Sequence, residues 1–399
     1  MGARVRHLAL PRPHRRAQNG TSACHRHLQT SSGHRLIERN YLQGMEGVLT
    51  GVRVLDLSSV LAGPLTGTFL AECGADVTKV EAPGGDVTRS WKLPGEAPGP
   101  ISSYYEAANH GKTVVSHNLK APEGQAWLLD SLAHTDVILH NMKWGDLDAM
   151  GLLPDRLSNA FPKLVQVRLV GFEQRPERLA YDVVVQAESG FMSMNGTPDG
   201  PATKMPVAMM DILASHQMRA AVLGGLFHRE RTGRGGYAEV SLWGSGLTAL
   251  ANQGTQWLMQ GTVPQRMGST HPNIAPYGDM LMCRDGDVVL AVGSDAQFKS
   301  LCHVLGCDVL ADDPRFRTNV ERVKHRESLM KALNAPARLF SRADLLAAFV
   351  ERRVPAGAVH SVQEALDSEM AQVYLTGSDD RRKVKTSAIR WDQAGMRKA

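Results

Sequence analysis

The chain has 399 residues, of which 43% are hydrophobic and 21% charged, a composition typical of a globular enzyme with about two domains. It contains no uninterrupted apolar run of about 18 residues, so the sequence predicts no membrane span. The net charge of +5 comes from residues 1–37, which hold seven arginines and no acid. The remainder is nearly neutral, which argues against a nucleic-acid partner.

Residues 1–44 are predicted to form a tail outside the fold. They are rich in arginine, histidine and serine, and their first acid is Glu38. Two interpretations stay open: a mitochondrial transit peptide, which would place the protein in the mitochondrial matrix, or a misassigned start ahead of Met45, with a cytoplasmic protein. Five histidines are unusual for a transit peptide and favour the second, as does the apolar stretch at residues 45–51, which we interpret as a first strand.

The five cysteines predict neither a disulfide framework nor a zinc site. Their number is odd and no C-x-x-C pair occurs. The sequence also lacks the metal-binding and phosphate-binding motifs H-E-x-x-H and G-x-x-x-x-G-K-[ST]. We therefore expect no bound metal.

The first half of the chain alternates short apolar strands with helical patterns. Strands are predicted at 52–57, 77–80, from 114, at 136–140 and at 164–170, with helices at 65–73 and 122–132. Strands that alternate with helices indicate an α/β fold, here a Rossmann-like parallel sheet in a large domain at residues 45–225. Ligands of such sheets bind at the carboxyl ends of the strands.

The second half has a different texture. A helix that follows Asp211 ends at a glycine cluster, residues 232–236. Glycine- and proline-rich connections and a hairpin turn at Asp285-Gly286 predict a smaller α+β domain at residues 226–330. Residues 331–399, with a helix at 342–351, are expected to return to the large domain.

Asp211 stands where an apolar run meets the start of a helix. On the local pattern alone, a helix N-cap is the commoner role for such an aspartate. The alternative is a nucleophile, which the positive end of the helix would keep ionised.

An ordered set of segments resembles the class III coenzyme A transferase family, also called the CaiB/BaiF family. The resemblance extends over roughly residues 47–370. The matching segments are 51–64 (GVRVLDLSSVLAGP), 74–86 (GADVTKVEAPGGD), 109–112 (NHGK), 136–141 (DVILHN), 181–190 (YDVVVQAESG), Asp211, 229–235 (RERTGRG), 268–272 (GSTHP) and 354–357 (VPAG).

The resemblance implies a CoA-transferase that moves CoA from an acyl-CoA donor to a free carboxylic acid. By position, Asp211 matches the family's nucleophile, which forms a mixed anhydride and then an aspartyl-CoA thioester. The resemblance also implies an interlocked homodimer. The chemistry implies no metal or redox cofactor. The small dicarboxylates that serve members of the family are the expected acids.

CoA contacts are implied by position at four segments of the chain. They are Leu61 and Ala62; His117, Asn118, Leu119 and Lys120; Asn141, Met142 and Lys143; and Leu179, Ala180, Tyr181 and Asp182. Asp182 is equally compatible with a capping role. Arginines that some members place on the CoA phosphates are replaced here by Ala82 and Ala149, with Arg89 or Lys143 as candidate substitutes.

Two alternatives stay open at this point. An acyl-CoA racemase of the same superfamily would need a histidine where this chain has Tyr181. A non-catalytic CoA-binding homologue would not need Asp211 at all.

Overall fold

The computed structural model describes residues 47–96, 98–99, 101–378 and 381–389. Residues 1–44, and with them the alternatives of transit peptide and misassigned start, lie outside the described residues. The predicted strand at 45–51 is wrong in its described part, because residues 47–50 form a turn. Gly47 and Gly51 have φ of 89° and 87°, in the left-handed region that interrupts a strand.

Six parallel strands form the large sheet, which confirms the predicted Rossmann-like architecture. Their spatial order is β3-β2-β1-β4-β5-β6, so the direction of winding reverses between β1 and β4. The strands are β1 (Arg53–Asp56), β2 (Asp76–Glu81), β3 (Thr113–Ser116), β4 (Val137–His140), β5 (Val165–Val170) and β6 (Gly236–Ser241).

Ten helices accompany this sheet in the part of the chain that the structure describes. They are α1 (Ala62–Glu72), α2 (Ser103–Asn109), α3 (Pro122–Leu132), α4 (Trp144–Ala149), α5 (Pro154–Ala160), α6 (Asp182–Glu188), α7 (Phe191–Met194), α8 (Met209–Thr232), α9 (Leu242–Thr248) and α10 (Ala251–Gln260). Helix α3 has the predicted bounds, and α8 ends before Gly233, whose φ of 73° suits a glycine C-cap.

Alternating strand residues supply two separate cores. Val54 and Leu139 face α1 and α8 on one side of the sheet, whereas Leu55 and Ile138 face α3, α4 and α5 on the other. Because side chains alternate along a strand, neighbouring residues of β1 and β4 serve opposite cores. Burial on both faces explains why these strands are nearly continuous apolar runs.

A smaller α+β unit has its own sheet, β7 (Tyr277–Cys283), β8 (Gly286–Ala291) and β9 (Ala356–Ala358), all antiparallel. The predicted hairpin at Asp285-Gly286 joins β7 to β8. The remaining elements are α11 (Asp295–Val304), α12 (Val309–Asp312), α13 (Asn319–Lys324), α14 (Arg326–Ala337), α15 (Arg342–Glu351), α16 (Val362–Asp367), β10 (Leu375–Thr376) and β11 (Lys383–Val384), and 3₁₀ turns lie at Val87–Ser90 and Glu369–Tyr374.

The structure places two domain boundaries elsewhere than at residues 226 and 330. Residues 226–241 belong with the large sheet, because β6 pairs with β5 over six residues. Helices α14 and α15 belong to the small core, where Leu333 and Phe349 pack with Leu281. Neither arrangement follows from local patterns, because each is decided by pairing between distant segments.

The chain returns to the large sheet at residues 381–389, which we call the closing segment. Glu72 at the end of α1 accepts hydrogen bonds from Lys383 Nζ (2.8 Å) and from the Thr386 backbone N–H and hydroxyl. Arg219 of α8 donates to the Thr386 carbonyl at 2.9 Å, and Arg381 pairs with Glu106. The closing segment therefore ties α1, α2 and α8 together.

Buried charges lie beneath the turn that follows β1. Lys112 Nζ contacts Asp56 Oδ2 at 2.8 Å and also donates to the carbonyls of Pro64 and Ala108 and to Asn109 Oδ1. Burial lowers the pKa of Lys112 to about 8 despite the neighbouring carboxylate. Burial alone would raise the pKa of Asp56, but the charges of Lys112 and Lys79 hold it below its usual range. The pair therefore stays charged at neutral pH.

We predict that Lys112→Met lowers the free energy of unfolding at pH 7 by about 3–5 kcal/mol, since it strands a buried carboxylate and several acceptors. Denaturant titration measures the change. Lys163→Met, at an exposed lysine, is the control and should change stability by less than about 0.5 kcal/mol. Equal stability of the two variants would contradict a structural role for this ion pair.

Candidate active site

Helices α1 and α8 lie side by side and run in the same direction. The Thr66 and Ser215 hydroxyls are 3.1 Å apart, and one turn further along both helices the Arg219 guanidinium lies 4.7 Å from the centre of the Phe69 ring. The N-termini of the two helices are therefore neighbours. Ala62 and Asp211, each four residues before the Thr66–Ser215 contact, line the same cleft.

The start of α8 is capped by a residue from another helix. Its N-cap position is Ala208, which has no capping side chain, and Asp211 is the third residue of the helix. Asp182, the first residue of α6, accepts hydrogen bonds from the Met210 backbone N–H at 2.7 Å and from Gln186 Nε2 at 2.6 Å. The N-cap interpretation of Asp211 is therefore wrong, and Asp182 provides the cap from 28 residues away.

The electrostatic surroundings of Asp211 oppose its ionisation. Burial, followed by the negative charge of Asp182, raises the pKa of Asp211 from 3.8 to about 7. The expectation that the helix end keeps this carboxylate ionised well below neutral pH is therefore wrong. A pKa near neutrality means that both the neutral acid and its poorly solvated anion are accessible near neutral pH.

The turn between β1 and α1 is held open toward the cleft. Asn141, after β4, receives a hydrogen bond from Ser59 N (3.2 Å) and donates one to Ser59 O (3.1 Å). Val60 has φ of 73°, a strained conformation for a β-branched residue that points to a functional constraint. Helix α1 then begins at Ala62 without a side-chain cap, so its first N–H groups lack intrahelical acceptors beside Asp211.

The structure brings most of the predicted site residues together in one cleft of about 230 Å³ at the carboxyl ends of β1, β4 and β5. This is where the winding of the sheet reverses, the usual ligand position. The predicted residues that line it are Leu61, Ala62, Asn141, Met142, Lys143, Leu179, Ala180, Tyr181, Asp182 and Asp211.

The other four predicted residues line a second cleft of about 410 Å³, which shares Ser59 and Met142 with the first. They are His117, Asn118, Leu119 and Lys120. The His117 ring stacks on Trp127, with the ring centres 3.9 Å apart. The exposed Lys120 pairs with Asp146 at 3.2 Å. The two clefts thus form one continuous track past β1.

Of the two candidate substitutes for the phosphate-binding arginines, Lys143 lines the cleft that contains Asp211 and is exposed. Arg89 is directed inward, with hydrogen bonds to both oxygens of Glu81 and to the Tyr105 hydroxyl. Lys143 is therefore better placed than Arg89 to contact a CoA phosphate.

Sequence reasoning missed an arginine that supports the cleft. Arg168 donates to the Met142 carbonyl at 3.1 Å, pairs with Glu239 at 2.9 Å and lies 4.4 Å from the Trp144 ring centre. It fixes the loop that follows β4. An arginine inside an otherwise apolar strand is the signal that could have identified it, because such a charge is buried only when it is paired.

Among the described residues, no group of three or more histidines, cysteines or acids is arranged to hold a metal ion. No helix in the described part of the chain has the length and apolar character needed to cross a membrane.

Comparison with known proteins gives a consistent result. The family model for CoA-transferase family III matches residues 49–393. A succinate–glutarate CoA-transferase of Agrobacterium fabrum is 38% identical over 81% of this chain and 83% of its own length. A succinyl-CoA:glutarate CoA-transferase of Mus musculus is 33% identical over 82% of this chain and 75% of its own.

A solved structure shares the whole architecture. The crystal structure of a CaiB/BaiF family protein from Brucella suis superposes with a TM-score of 0.78 at 34% identity, and covers 86% of this chain and 93% of its own. Fold and site thus define an enzyme that handles CoA thioesters on a Rossmann-like sheet. The chain belongs to CoA-transferase family III.

Because the folded pKa of Asp211 lies above its unfolded value, ionising it costs stability. The unfolded chain loses this proton near pH 4 and the folded chain near pH 7, so the cost is absent below pH 4, grows up to pH 7 and then stays constant. We predict that Asp211→Asn raises the melting temperature at pH 8 and that the gain shrinks toward pH 4. Thermal unfolding across this range measures it. A gain independent of pH would contradict the raised pKa.

Proposed function

We propose that this enzyme transfers CoA from an acyl-CoA donor to a free carboxylic acid, with Asp211 as the nucleophile. The observation that carries the proposal is the position of Asp211. It is a partly buried carboxylate without a hydrogen-bond partner among the described residues, beside the uncapped start of α1 and inside a cleft at the ligand end of the sheet.

Each half of the reaction exchanges one bond for another. An Asp211 oxygen attacks the thioester carbonyl, the carbon–sulfur bond breaks, and a mixed anhydride and CoA thiolate result. The thiolate then attacks the Asp211 carbonyl carbon, and the donor acid departs with the bridging oxygen. The acceptor carboxylate attacks the resulting aspartyl-CoA thioester, and the same steps run in reverse.

The raised pKa serves this chemistry. Poor solvation of the Asp211 anion makes it a stronger nucleophile than a solvated carboxylate, and the same surroundings favour the neutral anhydride and thioester that replace it. Each tetrahedral intermediate carries a negative oxygen. The free N–H groups at the start of α1 are suited to stabilise that charge, which in comparable sites contributes about 3 kcal/mol per donor.

The acids are proposed from the relatives. Their names mention succinate, glutarate, oxalate and mesaconate, all of which are dicarboxylates. We propose small dicarboxylic acids as partners of this enzyme, with succinate and glutarate foremost because the Agrobacterium fabrum relative acts on them.

The racemase alternative is less well supported. Proton abstraction at the α-carbon needs a base such as histidine. None of the described residues that line the cleft around Asp211 is a histidine. Tyr181, which stands at the position that would need it, is exposed. A non-catalytic, CoA-binding role would not require a carboxylate with a raised pKa, such as that of Asp211.

The decisive experiment follows oxygen atoms. With acceptor acid labelled with ¹⁸O in its carboxylate, each turnover leaves a labelled oxygen on Asp211, and the next donor acid carries it away. We predict that ¹⁸O appears in the released donor acid and that hydroxylamine trapping places a hydroxamate on Asp211. Mass spectrometry reads both.

Asp211→Ala should reduce transfer by at least about a thousandfold, because no other group takes the acyl fragment. Arg234→Gln, at an exposed position beyond the other end of α8, is the control and should keep wild-type rates. Donor acid without label, or transfer that survives in Asp211→Ala, would remove Asp211 from the mechanism.

We also propose that the enzyme is a homodimer, and the family resemblance leads us to expect an interlocked one. No residue of α10 is buried, and Trp257, Leu258 and Met259 are 50%, 82% and 76% exposed, with Val263 just beyond. Several large apolar side chains exposed within a few residues favour a protein interface. A second copy of the chain is the partner we propose.

We predict that light scattering gives the wild type twice the chain mass of 43.4 kDa and that Leu258→Glu with Met259→Lys gives the single mass. Val309→Glu, at an equally exposed apolar residue of the small unit, should leave the dimer intact. A wild type that is monomeric at micromolar concentration would exclude the homodimer.

A further inference from the structure

A side cleft of about 360 Å³ lies next to the cleft that contains Asp211. The two share Phe172, Glu173 and Arg178, so they adjoin at these residues. The other residues that line the side cleft are Gln174, Arg175, Glu188 and Trp243.

The walls of the side cleft are firmly built. Arg178 binds both oxygens of Glu188, at 2.9 and 2.5 Å, and its guanidinium lies 4.3 Å from the Phe172 ring centre. Glu173 accepts a hydrogen bond from the Ser241 hydroxyl. The positive charge of Arg178 is therefore matched within the protein, and each acid of the cleft has its own partner.

Arg175 differs from these residues. Its side chain makes no ion pair or hydrogen bond within the described part of the chain, and both oxygens of Glu188, whose charge it also feels, are already bonded to Arg178. Short backbone turns hold its position, with Arg175 N bonded to Phe172 O and Arg178 N to Arg175 O. The side cleft thus presents one guanidinium, that of the exposed Arg175, which a ligand can reach.

We infer that the side cleft binds the second carboxylate of a dicarboxylic acid, with Arg175 as its ion-pair partner. The inference rests on the proposed function, because the first carboxylate must react at Asp211. The methylene chain of the acid lies along the cleft wall that Phe172 and Trp243 form, with their ring centres 6.4 Å apart. Guanidinium is the side-chain group whose geometry best matches a carboxylate.

The geometry also selects against other acids. A monocarboxylic acid leaves Arg175 without a partner and gains nothing from it. A positively charged acid meets Arg175 directly, and the acids that could attract it are held by Arg178 and Ser241. Arg175 is therefore a specificity-determining residue that acts on the far end of the substrate.

The test compares three acids of matched length: glutarate, valerate and 5-aminovalerate, each as acceptor with the same acyl-CoA donor, which is chosen to carry no second carboxylate. We predict that Arg175→Gln lowers kcat/KM for glutarate about tenfold or more, leaves valerate within about twofold and leaves the KM of the donor unchanged. Arg175→Glu should lower glutarate further and raise 5-aminovalerate. Arg234→Gln, again the control, should change none of the three.

Unequal effects on the three acids separate recognition of the far end from general damage, which would lower all of them alike. If Arg175→Gln changes no acid, or changes glutarate and valerate equally, the side cleft is not the second-carboxylate site, although CoA transfer through Asp211 stands. If the wild type passes CoA to no acid, the proposed function fails and this inference fails with it.

Discussion

The parallel contact between α1 and α8 is the constraint on which the site depends. The Thr66 and Ser215 hydroxyls form a hydrogen bond between the two helices. This contact places Ala62 and Asp211, each four residues earlier on its helix, at the cleft. Were α8 to slip by one turn, Asp211 would move about 5 Å along the helix axis and lose the uncapped amides of α1. The closing segment restrains this slip through Glu72, the last residue of α1, and through Arg219, near the middle of α8.

The active site is a region where the fold accepts an unfavourable arrangement. Asp182 completes the start of α8 with a good hydrogen bond, yet its charge also makes Asp211 harder to ionise. Val60 adds backbone strain on the facing turn. Local costs of this kind persist only where the surroundings are rigid, and the buried pair of Asp56 and Lys112 gives the turn that support.

The sequence predicted what is written in local patterns and missed what depends on distant contacts. The strands at β1, β4 and β5 and the bounds of α3 followed from apolar runs and end signals. The pairing of β6 with β5 could not be predicted, because the sequence of a short strand does not indicate which strand it will pair with. Position in a family motif selected Asp211, but its raised pKa comes from burial and from Asp182, and both arise only in the folded chain.

The closing segment has a consequence for the order in which the protein matures. Glu72 is the last residue of α1, whereas its partners Lys383 and Thr386 lie more than 300 residues further along the chain. During synthesis α1 therefore emerges long before these partners. Glu72 is separated from Lys383 by 311 residues. Contacts of such long sequence separation form late and slow folding. The hydrogen bonds that Glu72 accepts at the end of α1 thus form only after translation has passed Thr386.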